Sequence, residues 1–283
     1  MIWRNAYIEI MRIPNSLLMG IAVLVGIQIS DPNFFISQIA PLKAGLGFLT
    51  GFFLTASSMV LNDYVDRDID AINEPTRPIP SGRILPRKAL YYGLLLGFFG
   101  LVFSFFTGTY TFLLASLTFI VAVLYNFKLK KYGLLGNMCV AYTVSVPLLY
   151  GSLISSSFNW KILIYSAMIF LSIVGREIVK GISDVEGDSK RGIMTLAVRY
   201  GERFASIVAF LFFMAAVVLS IFPSIERMVN NFYIFFVSIT DAMLIYFSIE
   251  LIKSPNKKNA KKVKNRVLIA MFIGLIAFAV GSL

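Results

Sequence analysis

Residues 62–70 read Asn62-Asp63-Tyr64-Val65-Asp66-Arg67-Asp68-Ile69-Asp70, four carboxylates within eight positions, directly after an apolar run from Ala44 to Leu61. If the helix of that run continues, Asn62, Asp66 and Asp70 stand at i, i+4 and i+8, with Asp63 three residues before Asp66. Their oxygens then share one helical face. Two bare carboxylates ~4 Å apart repel by roughly 4 kcal/mol at an effective dielectric near 20. Protons or a cation must relieve that repulsion. Oxygen donors without His or Cys suit a hard divalent ion, and Mg²⁺ completes its shell with water and phosphate oxygens. The substrate expected is therefore a phosphate ester or diphosphate. A solvated acidic turn with no metal is the plain alternative.

A second stretch weighs against that alternative. Asp184-Val185-Glu186-Gly187-Asp188 follows the apolar run Ile162 to Val174, repeats two Asp at i, i+4, and has Lys180 one helical turn ahead of it. Nine of the fifteen acidic residues lie in these two regions, a clustering that random surface decoration does not produce. Lys180 is either a phosphate ligand or the ion-pair partner of Asp184.

Basic residues that could meet a diphosphate flank both stretches. In Asn73-Glu-Pro-Thr-Arg77-Pro-Ile-Pro-Ser-Gly-Arg83 the prolines stiffen the loop and Gly82 allows a tight turn. Its guanidinium groups offer a bidentate clamp, although a rigid turn carrying orienting charge explains the same residues. Tyr125-Asn-Phe-Lys128-Leu-Lys130-Lys131 supplies further cations for leaving-group charge, with Lys131 read as an orienting charge. Phe and Tyr together number 39, mostly packing or lipid-facing, though some could line a tunnel and favour a carbocation.

The elements that position these residues are membrane helices. The 283-residue chain is 58% hydrophobic and 14% charged, with mean hydropathy +0.78, against about 25% charged in soluble domains. The single Cys139 cannot form an internal disulfide, and the absence of His removes imidazole bases, Ser-His triads and His-ligated metals. Residues 1–13, with Trp3, Arg4, Tyr7 and Arg12 among apolar side chains, suit a short interfacial helix rather than a cleaved signal peptide. Runs of about 17–25 residues can span a bilayer. Nine such stretches are expected, near 15–30, 43–61, 89–107, 110–127, 137–156, 161–180, 203–222, 232–252 and 266–283.

With the N-terminus inside, 23 of 26 Lys and Arg fall on one side, leaving Lys43, Lys161 and Arg227 opposite. That places both acidic stretches in the cytoplasm and the C-terminus outside. It also accounts for the +11 net charge without nucleic acid, since basic loops meet anionic lipid. Lys257, Lys258, Lys261, Lys262 and Lys264 read as such a loop. The acidic stretches end the second and sixth spans, so they lie at one face and can meet. The expected fold is all-α and polytopic: a single domain over 1–283 with two four-helix halves plus one helix.

Three stretches, Asn62-Asp63-x-x-Asp66-x-x-x-Asp70, Arg77-Pro-Ile-Pro-Ser-Gly and Asp184-x-x-x-Asp188-x-x-x-Gly192-x-x-Thr195, resemble the paired motifs of the UbiA superfamily of intramembrane prenyltransferases. The resemblance spans nearly the whole chain. It implies nine helices around a central cavity, Mg²⁺ bridging the acidic motifs to a prenyl diphosphate, and prenyl transfer to a lipophilic acceptor. By position, Asn62, Asp66, Asp184 and Asp188, then Asp63 and Asp70, would coordinate the metal; Arg77, Lys180, Tyr125, Lys128 and Lys130 would meet the diphosphate. Asp66, Asp70, Asp184, Asp188 and Lys180 would carry the catalysis. Members often place Lys four residues after the Tyr, but here that position is Leu129, with lysines on either side. The wording of residues 62–73 is most similar to members that alkylate geranylgeranylglyceryl phosphate to form the second ether bond of archaeal lipids. An aromatic acceptor of quinone or haem synthesis stays open, as does a cation carrier, against which the near absence of charge within the spans, Asp241 and Glu250 apart, argues. No obligate protein partner is inferred.

Overall fold

The computed structural model describes residues 5–36, 38–190 and 192–281; the expectations resting on Trp3, Arg4 and Arg191 lie outside them. Thirteen α-helices follow one another among the described residues: α1 (Ala6–Ile10), α2 (Ile13–Ser30), α3 (Ala40–Val65), α4 (Arg67–Asn73), α5 (Pro86–Thr107), α6 (Thr109–Phe127), α7 (Leu134–Ser155), α8 (Trp160–Ser183), α9 (Val185–Lys190), α10 (Leu196–Tyr200), α11 (Glu202–Ile225), α12 (Asn231–Lys253) and α13 (Lys257–Gly281). Nine of these, α2, α3, α5 to α8 and α11 to α13, are long and apolar enough to cross a membrane, so the protein is an integral, multi-pass, all-α membrane protein. Proline stands in the first turn of α2, α3 and α5, where its missing N–H costs nothing. Asn159 and Asn230 cap α8 and α12 by accepting from Lys161 N and Tyr233 N.

The halves are visible in the packing. α3 lies against α2 and α5, and α8 against α7 and α11, while α13 closes onto α12 and α8. The seam between the halves is α2 on α7, and it is a backbone contact. A Cβ added at Gly26 would stand 2.3 Å from the Leu148 carbonyl oxygen, and one added at Gly151 2.3 Å from that of Val23. Apolar side chains fill the rest, with Val174, Ile178, Phe213 and Val267 joining α8, α11 and α13. Ile10 of α1 is buried with Ile79 and Ile84, so the loop after α4 folds back on the N-terminal segment.

Two boundaries differ from expectation. α13 begins at Lys257 rather than near 266, so the lysines read as a loop occupy its first turns. α3 also runs four residues further than the apolar run, carrying Asn62 and Asp63 within it. The two acids inside the spans are partnered locally: Ser220 donates to Asp241 at 2.6 Å, and Arg266 to Glu250 at 3.1 Å.

Candidate functional site

α3 does not continue through Asp70. It ends at Val65, Asp66 takes φ −85° and ψ 3°, and α4 restarts at Arg67. The spacing nevertheless survives the break, because Asp66 N donates to Asn62 O at 2.9 Å and Asp70 N to Asp66 O at 2.8 Å. Asp63, Asp66 and Asp70 are all buried, at 3%, 8% and 6% exposure, whereas Asp68 points to solvent. Buried carboxylates must be paired, and each of these is. Arg12 Nη2 donates to Asp63 at 2.6 Å, Arg77 Nη1 lies 2.5 Å from Asp70 and 3.5 Å from Asp63, and Lys130 Nζ bonds Asp66. Burial pushes the Asp70 carboxyl above the usual carboxylate range, against the pull of Arg77. Arg77 is held in turn by its loop, in which Ile79 and Ile84 are buried and Arg83 forks onto Glu9 at 2.6 and 2.9 Å.

At the second acidic stretch, Asp184 ends α8 with its N–H on Lys180 O and its carboxylate accepting from Ser183 Oγ at 2.8 Å. Asp184 is exposed and Asp188 half-buried, with Asp188 N on Asp184 O at 2.9 Å. Lys180 corrects one expectation: its ion pair is with Glu177 at 3.3 Å rather than with Asp184. Arg176 also donates to Glu177, at 2.8 Å.

The linker between α6 and α7 ties the two regions together. Lys130 reaches Asp66, while Lys131 O accepts from Met194 N at 3.4 Å, a few residues beyond Asp188. Gly133 has φ 53°, and a Cβ there would stand 2.3 Å from Met194 O, so both its torsion and its close approach require glycine. Lys128 and Lys131 are exposed.

Between the helices lies a cavity of about 840 Å³. One end is lined by Arg12, Asn62, Tyr125 and Asn126 from the first half and by Arg176, Glu177, Lys180 and Lys264 from the other helices. The other end is mostly apolar, with Val23, Ala115, Tyr150, Met168 and Phe278. Asn62 and Arg12 join cavity to acidic motif, since both line the space and Arg12 touches Asp63. Asn62 donates to Asn126 Oδ1 at 3.1 Å, and Asn126 donates to Ser58 O. Of the site residues expected from the sequence, Asn62, Tyr125 and Lys180 line the cavity; Arg77, Lys128, Lys130 and the aspartates of both motifs do not.

Four side chains escaped the sequence reading as site residues: Arg12, Asn126, Arg176 and Lys264. Arg12 and Lys264 carry the same signal as any orienting charge, and Asn126 stood beside Tyr125 without a chemical reason to single it out. Arg176 next to Glu177 inside a span was the one available hint.

The oxygen-only donors Asn62, Asp63, Asp66, Asp70, Asp184 and Asp188 fit a hard divalent cation by chemistry. Among the described residues no three carboxylates converge into a ready cluster, because basic side chains hold those of the first motif.

A membrane bundle with paired acidic turns at one end of a largely apolar cavity defines a class, and the comparison with known families gives it a name. The model of the UbiA prenyltransferase family matches residues 19–276, and the chain belongs to that family. The digeranylgeranylglyceryl phosphate synthase of Archaeoglobus fulgidus is 40% identical over 279 residues, covering 97% of this chain and 94% of that protein. A solved structure described as bearing on digeranylgeranylglyceryl phosphate synthase in membranes superposes with TM-score 0.80 at 36% identity, covering 98% and 97% of the two chains. A UbiA homologue from A. fulgidus bound to GPP and Mg²⁺ shares the fold at TM-score 0.70 and 19% identity, over 97% and 100% of the chains.

Proposed function

We propose that the protein is a single prenyltransferase domain over residues 1–283. It moves a geranylgeranyl group from geranylgeranyl diphosphate to the free hydroxyl of geranylgeranylglyceryl phosphate, making the second ether bond of an archaeal lipid. The observation that carries this reading is the shape of the site: a largely apolar cavity inside a membrane bundle with Arg12, Asn62 and Lys180 on its wall, Arg12 being bonded to Asp63 of the first acidic motif. The names of the relatives support the choice of donor and acceptor.

Asn62, Asp63, Asp66 and Asp70, with Asp184 and Asp188 across the linker, would hold Mg²⁺. The bound ion supplies neutralising charge to diphosphate oxygens. Arg77 and Lys130 at the first motif, Lys180 and Tyr125 on the cavity wall, and Lys128 on the linker would donate to the same oxygens. The allylic C–O bond of the donor breaks and diphosphate leaves with the electron pair. The acceptor hydroxyl oxygen forms the new C–O bond, and its proton goes to a carboxylate or to the departing diphosphate. Apolar walls keep water from the allylic centre, where it would give the alcohol instead. The basic residues favour the acidic end facing the cytoplasm and the C-terminus facing out.

Purified protein in detergent, given Mg²⁺ and radiolabelled geranylgeranyl diphosphate, tests the reading. Label in doubly alkylated glyceryl phosphate is the expected outcome. Label passed to 4-hydroxybenzoate instead moves the enzyme to quinone-type chemistry, and no transfer to any acceptor removes the reading.

A further inference from the structure

Three cations surround one carboxylate on the cavity wall away from the first acidic motif. Arg176 and Lys180 both pair with Glu177, and Lys264 of α13 lies within coulombic range of all three. The set lines the cavity, and with Asp184 also within coulombic range of both lysines, three cations face two carboxylates and one positive charge is left uncompensated. Uncompensated charge in a membrane bundle is costly, so an anion is wanted there. Two donors are also spare. Arg176 Nε is buried without a hydrogen-bond partner, and Lys264 Nζ makes no hydrogen bond or salt bridge among the described residues. Lys264 differs from its neighbours in this: Lys257, Lys258, Lys261 and Lys262 are exposed, and only Lys264 lines the cavity. Leu268 and Phe272 follow it at i+4 and i+8 on the same wall, a track for an alkyl chain.

We propose that Arg176 and Lys264 form a second anion subsite, beside Lys180 at the polar end of the cavity, that takes the phosphate monoester of the acceptor lipid. The inference rests on the ether-lipid reading above. Guanidinium and ammonium groups together suit a phosphate dianion, and Glu177 holds the guanidinium in place. An aromatic acceptor such as 4-hydroxybenzoate offers only a carboxylate monoanion, so the pair favours the phosphate-bearing acceptor.

Steady-state kinetics on the full-length protein test this, with geranylgeranylglyceryl phosphate and its phosphate-free alcohol as alternative acceptors. Lys264→Gln and Arg176→Gln raise KM for the phosphate-bearing acceptor about 10- to 100-fold, leave donor KM unchanged, and erase the preference for phosphate over alcohol. Lys264→Arg restores it, and Lys261→Gln changes nothing. In wild-type protein, glycerol phosphate inhibits competitively against the acceptor and not against the donor, a readout that needs no variant to fold. A rise in donor KM with acceptor KM unchanged, or competition against the donor alone, overturns the subsite and leaves the reaction standing. Absence of any transfer to glyceryl phosphate lipid from wild-type protein overturns the reaction itself.

Discussion

Arg77 holds two buried carboxylates with one guanidinium, at 2.5 Å from Asp70 and 3.5 Å from Asp63. Arg77→Ala strands Asp70 and leaves Asp63 to Arg12 alone, and thermal unfolding should show a loss of about 2 kcal/mol together with loss of transfer. Asp66→Ala and Asp184→Ala should each lower the rate of label transfer by about 10²- to 10³-fold, while the fold, read by circular dichroism, persists. The carboxylates were legible in the sequence because repetition at i, i+4 has few other causes. Their partners were not. Arg12 sits 51 residues from Asp63, and Lys130 sits 64 from Asp66. A lone cation at a helix end looks the same whether it orients the chain or neutralises an acid, and only the packing of helices decides between the two.

At the scale of elements, hydropathy located all nine spans, since a run of apolar residues long enough to cross a bilayer has one economical structure. It could not locate ends made of polar residues that remain helical. Lys257 to Lys264 are good helix formers followed by an apolar run, so α13 starts two turns early and turns Lys264 inward. The break at Asp66 was equally invisible, because the backbone keeps its i, i+4 hydrogen bonds on both sides. The α2–α7 seam gives the clearest prediction. The groups that a side chain at Gly26 or Gly151 would strike are main-chain atoms, which no rotamer change can move aside. Gly151→Val should therefore cost about 1–3 kcal/mol in detergent-solubilised thermal stability, whereas Gly45→Val, where the added Cβ meets nothing within 4 Å, should not.

For the whole molecule, a cavity of about 840 Å³ falls within the range of about 300–1,000 Å³ usual for ligand sites. If the cavity holds the prenyl chain of the proposed donor, its depth limits chain length. At Gly274 a Cβ meets only ordinary contacts, 3.4 Å from Thr240, yet the position lines the cavity, so Gly274→Phe fills space without disturbing the helix. Competition between donors should show the variant shifting from geranylgeranyl toward farnesyl or geranyl diphosphate; an unchanged ranking would place the chain elsewhere.

The first acidic motif is already in ionic balance. Asp63, Asp66 and Asp70 face Arg12, Arg77 and Lys130, three charges against three. On the proposed reaction, a diphosphate arriving alone would have to strip cations from carboxylates, and a divalent ion alone would have to expel them. Arriving together they exchange partners, as two salts do in a metathesis: carboxylates pass to the metal and the freed guanidinium and ammonium groups pass to the phosphates. Each ligand should then tighten the other by the same factor. Calorimetric titration of Mg²⁺ with and without geranylgeranyl diphosphate, and of the diphosphate with and without Mg²⁺, would read that factor twice; independent binding would mean that the pairs stay closed during turnover.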